Sequence, residues 1–381
     1  MLFHTRIFQS RTSKKLKMFE TSSQPQDRSE KNTANTPVIY VYAPKYVTWS
    51  AGIRALHYLC HSLNELGFRS WVAIHGPVRG KEASVNPDLD TPFLTRAVAD
   101  EHLHTNTSTI AIYPESVDGN PLNASVTVKW ILNFPGLLGG ETHYLDDFVV
   151  AYSLVLSDSY AKVGNERIPV IFYPVVDLYE LDRSVANFRE TDQKRKLLYC
   201  QKFRALGGKP ADHGEDIFEV TRFQKGSPKR EQLLNLILNA PEVIVYENST
   251  IITEAQLLGT PVRCISNQWF DSLIAEEELG SYGVVWNKEA LEMSKSVSIE
   301  LTRQRYATAM TTFYNELSKN ARSWIEEAEL HKASRIRLPT SSIISRHSLT
   351  RALSLFKSQG MGRVMSFGLR YVQRVWRDRN S

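Results

Sequence analysis

The chain has 381 residues, 42% of them hydrophobic and 23% charged, with a formal net charge of +5. That length holds two cores, the composition is that of a globular protein, and so small a charge excess does not by itself mark a nucleic-acid binder. No apolar run approaches the roughly 18 residues of a membrane span, and the N-terminus lacks the apolar stretch of a secretory signal.

Residues 1–36 are first basic (Arg11, Lys14, Lys15, Lys17) and then rich in Ser, Gln, Asn and Thr, which predicts a disordered leader. Val38 to Tyr42 predicts a strand. Ile53, Leu56, Leu59, Cys60, Leu63 and Leu66 then recur at helical spacing, with Ser50 as N-cap and Gly67 just past the end. Ala51 and Gly52 open this helix, and Trp71 to Ile74 is the next strand, so the chain begins as a βαβ unit. His57 and His61 lie one turn apart, but no third ligand is near, and the polar side of the helix accounts for them.

Glu101 to Thr109 reads as a polar linker. Ile110 to Tyr113 and Val126 to Leu132 read as strands, ending at Glu115 and at Asn133-Phe134-Pro135-Gly136. Loops at the carboxyl ends of strands border the crevice of an α/β sheet, so Glu115, Asn120, Asn133 and Gly136 are candidates there, although Asn, Gly and Pro are also turn residues. His143, Asp146 and Asp147 follow, each able to take a proton from a hydroxyl. Tyr152 to Leu156 and Val170 to Tyr173 read as the last strands of a first domain, residues 37–175, and Pro174 to Asp192 as a connection.

A second domain, residues 190–290, opens with the strand Lys196 to Cys200. Lys202, Arg204 and Lys209 flank the turn after it, where cations can offset phosphate charge. Ile217 to Val220 is a strand running into Thr221-Arg222-Phe223, and Ser227-Pro228 starts a helix. Val243 to Val245 is a buried strand, Asn248, Ser249 and Thr250 suit a helix start, Ile251, Ala255 and Leu258 recur at helical spacing, and Gly259 and Pro261 stop the helix before Val262 to Ile265. A helix starting just beyond a strand offers backbone N–H groups and a partial positive charge to phosphate, and Glu254 sits one turn deeper. A helix around Ser272 to Leu279 and a strand from Gly283 to Trp286 follow. Cys60, Cys200 and Cys264 lie in apolar runs without metal spacing and read as reduced core residues of a cytoplasmic protein.

Lys288 to Lys332 is a long helical pattern, and residues 291–335 are assigned to C-terminal helices. In residues 343–381, eight basic residues from Arg346 to Arg379 face one acid, Asp378, and alternate with apolar and aromatic side chains. That pattern suits an interfacial helix on an anionic membrane, so peripheral attachment to the inner face of the plasma membrane is expected. No nucleic-acid recognition motif is present, and nucleic acid is not expected as a partner.

The stretch from Glu242 to Ile265 resembles the donor site of GT-B glycosyltransferases, in particular the large retaining family with paired glutamates, and Tyr113-Pro114-Glu115 followed by Val128 to Gly136 resembles a bacterial polysaccharide subset of these enzymes. Glu254-Ala255 followed by Leu258-Gly259-Thr260-Pro261-Val262 matches the second half of that motif, while Glu247 stands one position later than the family's first glutamate, where this chain has Tyr246. The resemblance implies two Rossmann-like domains facing each other across a cleft, with C-terminal helices. It implies a hexosyltransferase that moves a sugar, without metal or other cofactor, from a nucleoside diphosphate sugar to a glycan or lipid-linked acceptor. Glu254 would then bind the ribose. Asn248, Ser249 and Thr250, with Lys202, Arg204 and Lys209, would hold the diphosphate, Arg222 would lie at the base, and Glu247 would face the transferred sugar. Ala51, Gly52, Glu115, Asn120, Asn133 and Gly136 would line the acceptor side; His143 and Asp146 are candidate bases on their own chemistry. The alternatives are a sugar-nucleotide epimerase on the same fold and a non-catalytic scaffold of a polysaccharide assembly complex.

Overall fold

Continuous apolar runs bounded by turns build two parallel sheets, as expected for strands buried on both faces. A computed structural model describes residues 36–75, 85–137, 141–162, 166–188, 190, 194–221, 227–287 and 295–338. The leader, Arg222 and residues 343–381 thus fall outside the described residues, Thr36 apart.

The first sheet contains β1 (Val38–Pro44), β2 (Ser70–His75), β3 (Thr109–Pro114), β4 (Val126–Ile131) and β5 (Phe148–Ala151), all parallel, in the order β2-β1-β3-β4-β5. Helix α1 (Ala51–Glu65) carries the chain from β1 to β2. Ser50 caps it by accepting a hydrogen bond from the Ile53 amide at 3.5 Å, and Gly67 follows it at φ +84°, a conformation that suits glycine.

The expected linker from Glu101 is instead the end of helix α2 (Arg96–His104). Its pattern is masked because a histidine takes a core position: His102 is buried, hydrogen-bonded at 2.6 Å to the Tyr40 hydroxyl, and its pKa is pulled down to about 4, mainly by burial. The strand expected over Tyr152 to Leu156 is also corrected. β5 ends at Ala151, Ser153 caps Leu156, and α3 (Leu154–Ala161) follows. An unbroken apolar run has no periodicity that separates the end of a strand from the start of a helix. Val170 makes a single bridge to Ala151 and is not part of a strand. The connection contains α4 (Leu178–Ala186), capped by the Asp177 carboxylate.

The second sheet contains β6 (Lys196–Tyr199), β7 (Ile217–Glu219), β8 (Val243–Val245), β9 (Val262–Cys264) and β10 (Val284–Trp286), again parallel, ordered β10-β9-β8-β6-β7. Its helices are α5 (Gln201–Ala205), α6 (Arg230–Asn239), α7 (Thr250–Leu258) and the single turn α8 (Glu276–Leu279). Within each sheet the second strand lies outside the first and the third lies on its other side, so the two sheets share one topology. The three cysteines are buried thiols, each pushed up to about 12 by burial.

Helix α9 (Lys295–Glu329) joins the two cores with one stripe of side chains. Tyr306 and Ala309 pack into the second core, while Phe313, Leu317, Ala321, Trp324 and Ala328 pack into the first. The chain thus crosses back onto the first sheet's domain. Residues 331–338 continue along that domain as a strap: Ser125 Oγ donates to the Lys332 carbonyl at 3.0 Å, Arg337 N donates to the Leu122 carbonyl at 2.8 Å, and Ile336 is buried. No described helix is long and apolar enough to cross a membrane.

Candidate functional site

In an open parallel sheet the chain leaves in opposite directions from the two strands flanking a switch in strand order, and their carboxyl ends open a crevice there. In the second sheet those strands are β6 and β8. The turn after β6 carries Lys202, and the turn after β8 carries Asn248 to Thr250, so the topology brings these expected residues together. Lys202 Nζ donates to the Asn248 carbonyl at 2.7 Å, which sets its charge beside the tip of α7. Ser249 and Thr250 are partly exposed, and the Ser249 side chain makes no cap hydrogen bond, so the start of this helix depends on other groups.

Asn248 is engaged away from the tip. Its Nδ2 donates to the Ser272 carbonyl at 2.9 Å and its Oδ1 accepts from Ile274 N at 3.0 Å, which pins the loop after β9. Glu247 is buried, and its Oε2 accepts from Phe203 N at 2.8 Å, bracing α5. Arg204 and Lys209 point elsewhere. Arg204 makes a two-pronged pair with Glu219, with both bonds at 2.8 Å, and together with Lys209 and His213 it borders a surface groove beside β6 and β7.

Glu254 has no exposed surface. Its Oε1 accepts from Arg230 Nη1 at 2.6 Å and lies 3.8 Å from Arg54 Nη2, and Arg230 is held in turn by Glu180 at 2.9 Å. Arg54 belongs to α1, in the other sheet's domain, and its Nη2 also donates to Thr250 Oγ1 at 3.4 Å. A buried carboxylate survives the loss of water only with such partners. Sequence reasoning missed Arg54 and Arg230. The available signal for the first was slight: α1 holds a single arginine, just beyond Ala51-Gly52.

On the first sheet the switch lies between β1 and β3. Ala51 and Gly52 start α1 there, and a Cβ on Gly52 would stand 3.9 Å from Leu132 Cδ1, an ordinary contact. Glu115 is buried and accepts from Leu132 N at 3.0 Å, so Gly52, Glu115 and the start of the Asn133 loop are neighbours. Asn133 Oδ1 accepts from Phe134 N, and Gly136 turns the loop at φ +77°. Asn120 instead closes its own turn, accepting from the Tyr113 hydroxyl and Ala124 N and donating to the Ala124 carbonyl.

The two candidate bases differ in environment. His143 is exposed. The Asp146 side chain is nearly closed to solvent, 3.5 Å from the fully buried Lys129 ammonium. Burial raises the Asp146 pKa, and the lysine opposes that shift. Lys129 is in turn pulled down by burial, donates to the Val117 carbonyl, and sits over the rings of Tyr113 and Tyr144. Asp146 is therefore engaged as the counter-ion of a core lysine.

No family model matches the chain, and no curated protein matches it. Among solved structures it is similar to Os79 from O. sativa in complex with U2F and trichothecene, at 13% identity over 76% of this chain and 100% of that one, with a TM-score of 0.33. It is similar to CalG4, the calicheamicin glycosyltransferase, at 11% identity over 77% and 98%, TM-score 0.36. It is also similar to the glycosyltransferase SnogD from Streptomyces nogalater, at 14% identity over 78% and 99%, TM-score 0.32. Likeness at this level assigns no activity.

Proposed function

We propose that the protein is a glycosyltransferase that moves a sugar from a nucleoside diphosphate sugar to a hydroxyl of a glycan or lipid-linked acceptor. One observation carries this reading: at the switch point of the second sheet, the partly exposed first turn of α7 stands beside Lys202 and takes a hydrogen bond from Arg54 of the opposite domain. Backbone N–H groups, a helix dipole and two cations suit a diphosphate leaving group, whose charge grows as the sugar departs.

In the step itself, the bond from the anomeric carbon to the β-phosphate oxygen breaks and its electron pair stays on the diphosphate. The acceptor oxygen bonds the same carbon, and its proton passes to a base, for which His143 is the exposed candidate. Glu254 serves the ribose one turn below the phosphates. The motif at Glu254 to Val262 supports membership of the retaining paired-glutamate family, with surface polysaccharide as the product.

The test is release of nucleoside diphosphate from a panel of nucleotide sugars, with and without polyprenyl-linked glycans. Acceptor-dependent release supports the transferase. Conversion of the sugar without any acceptor would instead mark an epimerase, and no turnover of any donor would leave only the scaffold reading.

A further inference from the structure

The contact between Arg54 and the second sheet's domain has a chemistry of its own. The Arg54 side chain is only 6% exposed and reaches from α1 onto the first turn of α7. Its Nη2 lies 3.4 Å from Thr250 Oγ1 and 3.8 Å from Glu254 Oε1, and the second distance is too long for a hydrogen bond. Arg230 holds the same Glu254 oxygen at 2.6 Å and is itself anchored by Glu180. Glu254 thus keeps a guanidinium partner wherever Arg54 turns, and Arg54 already reaches the helix's first turn at Thr250. A guanidinium offers paired N–H donors that match two phosphate oxygens, which the single ammonium of Lys202 cannot do.

We infer that Arg54 is the cation that the first domain brings to the donor's diphosphate, and that it turns from Glu254 to the phosphate oxygens as the nucleotide binds while Arg230 stays on the carboxylate. This rests on the proposed function, and it adds that phosphate binding requires both domains.

The experiment compares the affinity of the full chain for nucleoside diphosphates (uridine, guanosine and adenosine) with its affinity for the matching nucleosides, by calorimetry and by ligand-observed NMR. Arg54→Gln should weaken the diphosphate by about 10- to 100-fold, the loss of a charge-assisted contact, and leave the nucleoside within about threefold. Arg54→Lys, which keeps the charge but not the fork, should fall between the two and serves if the glutamine variant does not fold. Equal weakening of diphosphate and nucleoside would show that Arg54 only holds the domains together, and unchanged diphosphate affinity would show that it does not meet the phosphates. Either result overturns the inference and leaves the proposed function standing. Wild-type protein that binds no diphosphate would overturn both.

Discussion

Glu254→Ala is expected to cost about 3–5 kcal/mol of folding stability, the loss seen when one member of a buried ion cluster is removed and its partners stay behind. Glu254 is fully buried, and its Oε1 faces both Arg230 at 2.6 Å and Arg54 at 3.8 Å. Without the carboxylate, Arg230, which Glu180 still holds at 2.9 Å, and Arg54 from the opposite domain both lose a counter-ion. Glu254→Gln, which keeps an acceptor oxygen of similar shape, should cost less. Urea denaturation of both variants checks this. A cost below about 1 kcal/mol for alanine would mean that the arginines find water or other acceptors and that the cluster does not hold the domains. For variants that remain folded, donor binding should be lost with alanine and weakened with glutamine, because the same carboxylate is proposed to grip the ribose.

Glu278 should make stability fall as pH rises. It lies on α8, and its Oε1 accepts from Leu154 N at 2.7 Å, capping α3 in the other domain, while Oε2 is buried without a hydrogen-bond partner among the described residues. Burial raises its pKa to about 7, against the opposing pull of the Leu154 amide. The folded value therefore exceeds that of the unfolded chain. Below the unfolded value both states hold the proton and nothing is lost. Between the two values folding takes up a proton, and as pH rises through 7 the folded state must ionise a buried group. The penalty grows to about 3 kcal/mol, at about 1.4 kcal/mol for each unit of pKa. Glu278→Gln does not titrate, so its stability relative to wild type should improve by that amount between about pH 5 and pH 8. Denaturant melts at the two pH values give the answer, and a constant difference would place the Glu278 carboxylate in water.

Much of this structure is written locally. Strands β1, β3 and β4 show because both their faces are buried, which leaves unbroken apolar runs. Helix α1 shows because its stripe is regular and both its ends carry capping residues. The turn into α7 shows because strand, polar cap residues, periodic helix and Gly259 follow one another within a short stretch, and Gly259 does take the left-handed conformation at φ +74°.

The features that local reading misses are those whose partners lie far along the chain. Arg54 meets Thr250 across 196 residues, and nothing around Arg54 in sequence announces that contact. The strap at 331–338 has no apolar periodicity to announce it, since only Ile336 of its residues is buried, and its order comes from bonds to Asn123, Leu122 and Ser125. Arg204 and Lys202 stand two positions apart on one short helix, yet one lies at the tip of α7 and the other pairs with Glu219. Adjacent side chains on a helix point in different directions, so the sequence names the cations without saying which of them shares a crevice with α7.

A crystal structure with a nucleoside diphosphate bound shows directly whether the first turn of α7 and Arg54 hold the phosphates. Phosphate oxygens are expected within hydrogen-bond distance of the Ser249 or Thr250 backbone amide and of the Arg54 guanidinium, with the ribose toward Glu254. Phosphates seated instead in the groove of Arg204, Lys209 and His213, with the first turn of α7 untouched, would contradict the proposed donor site.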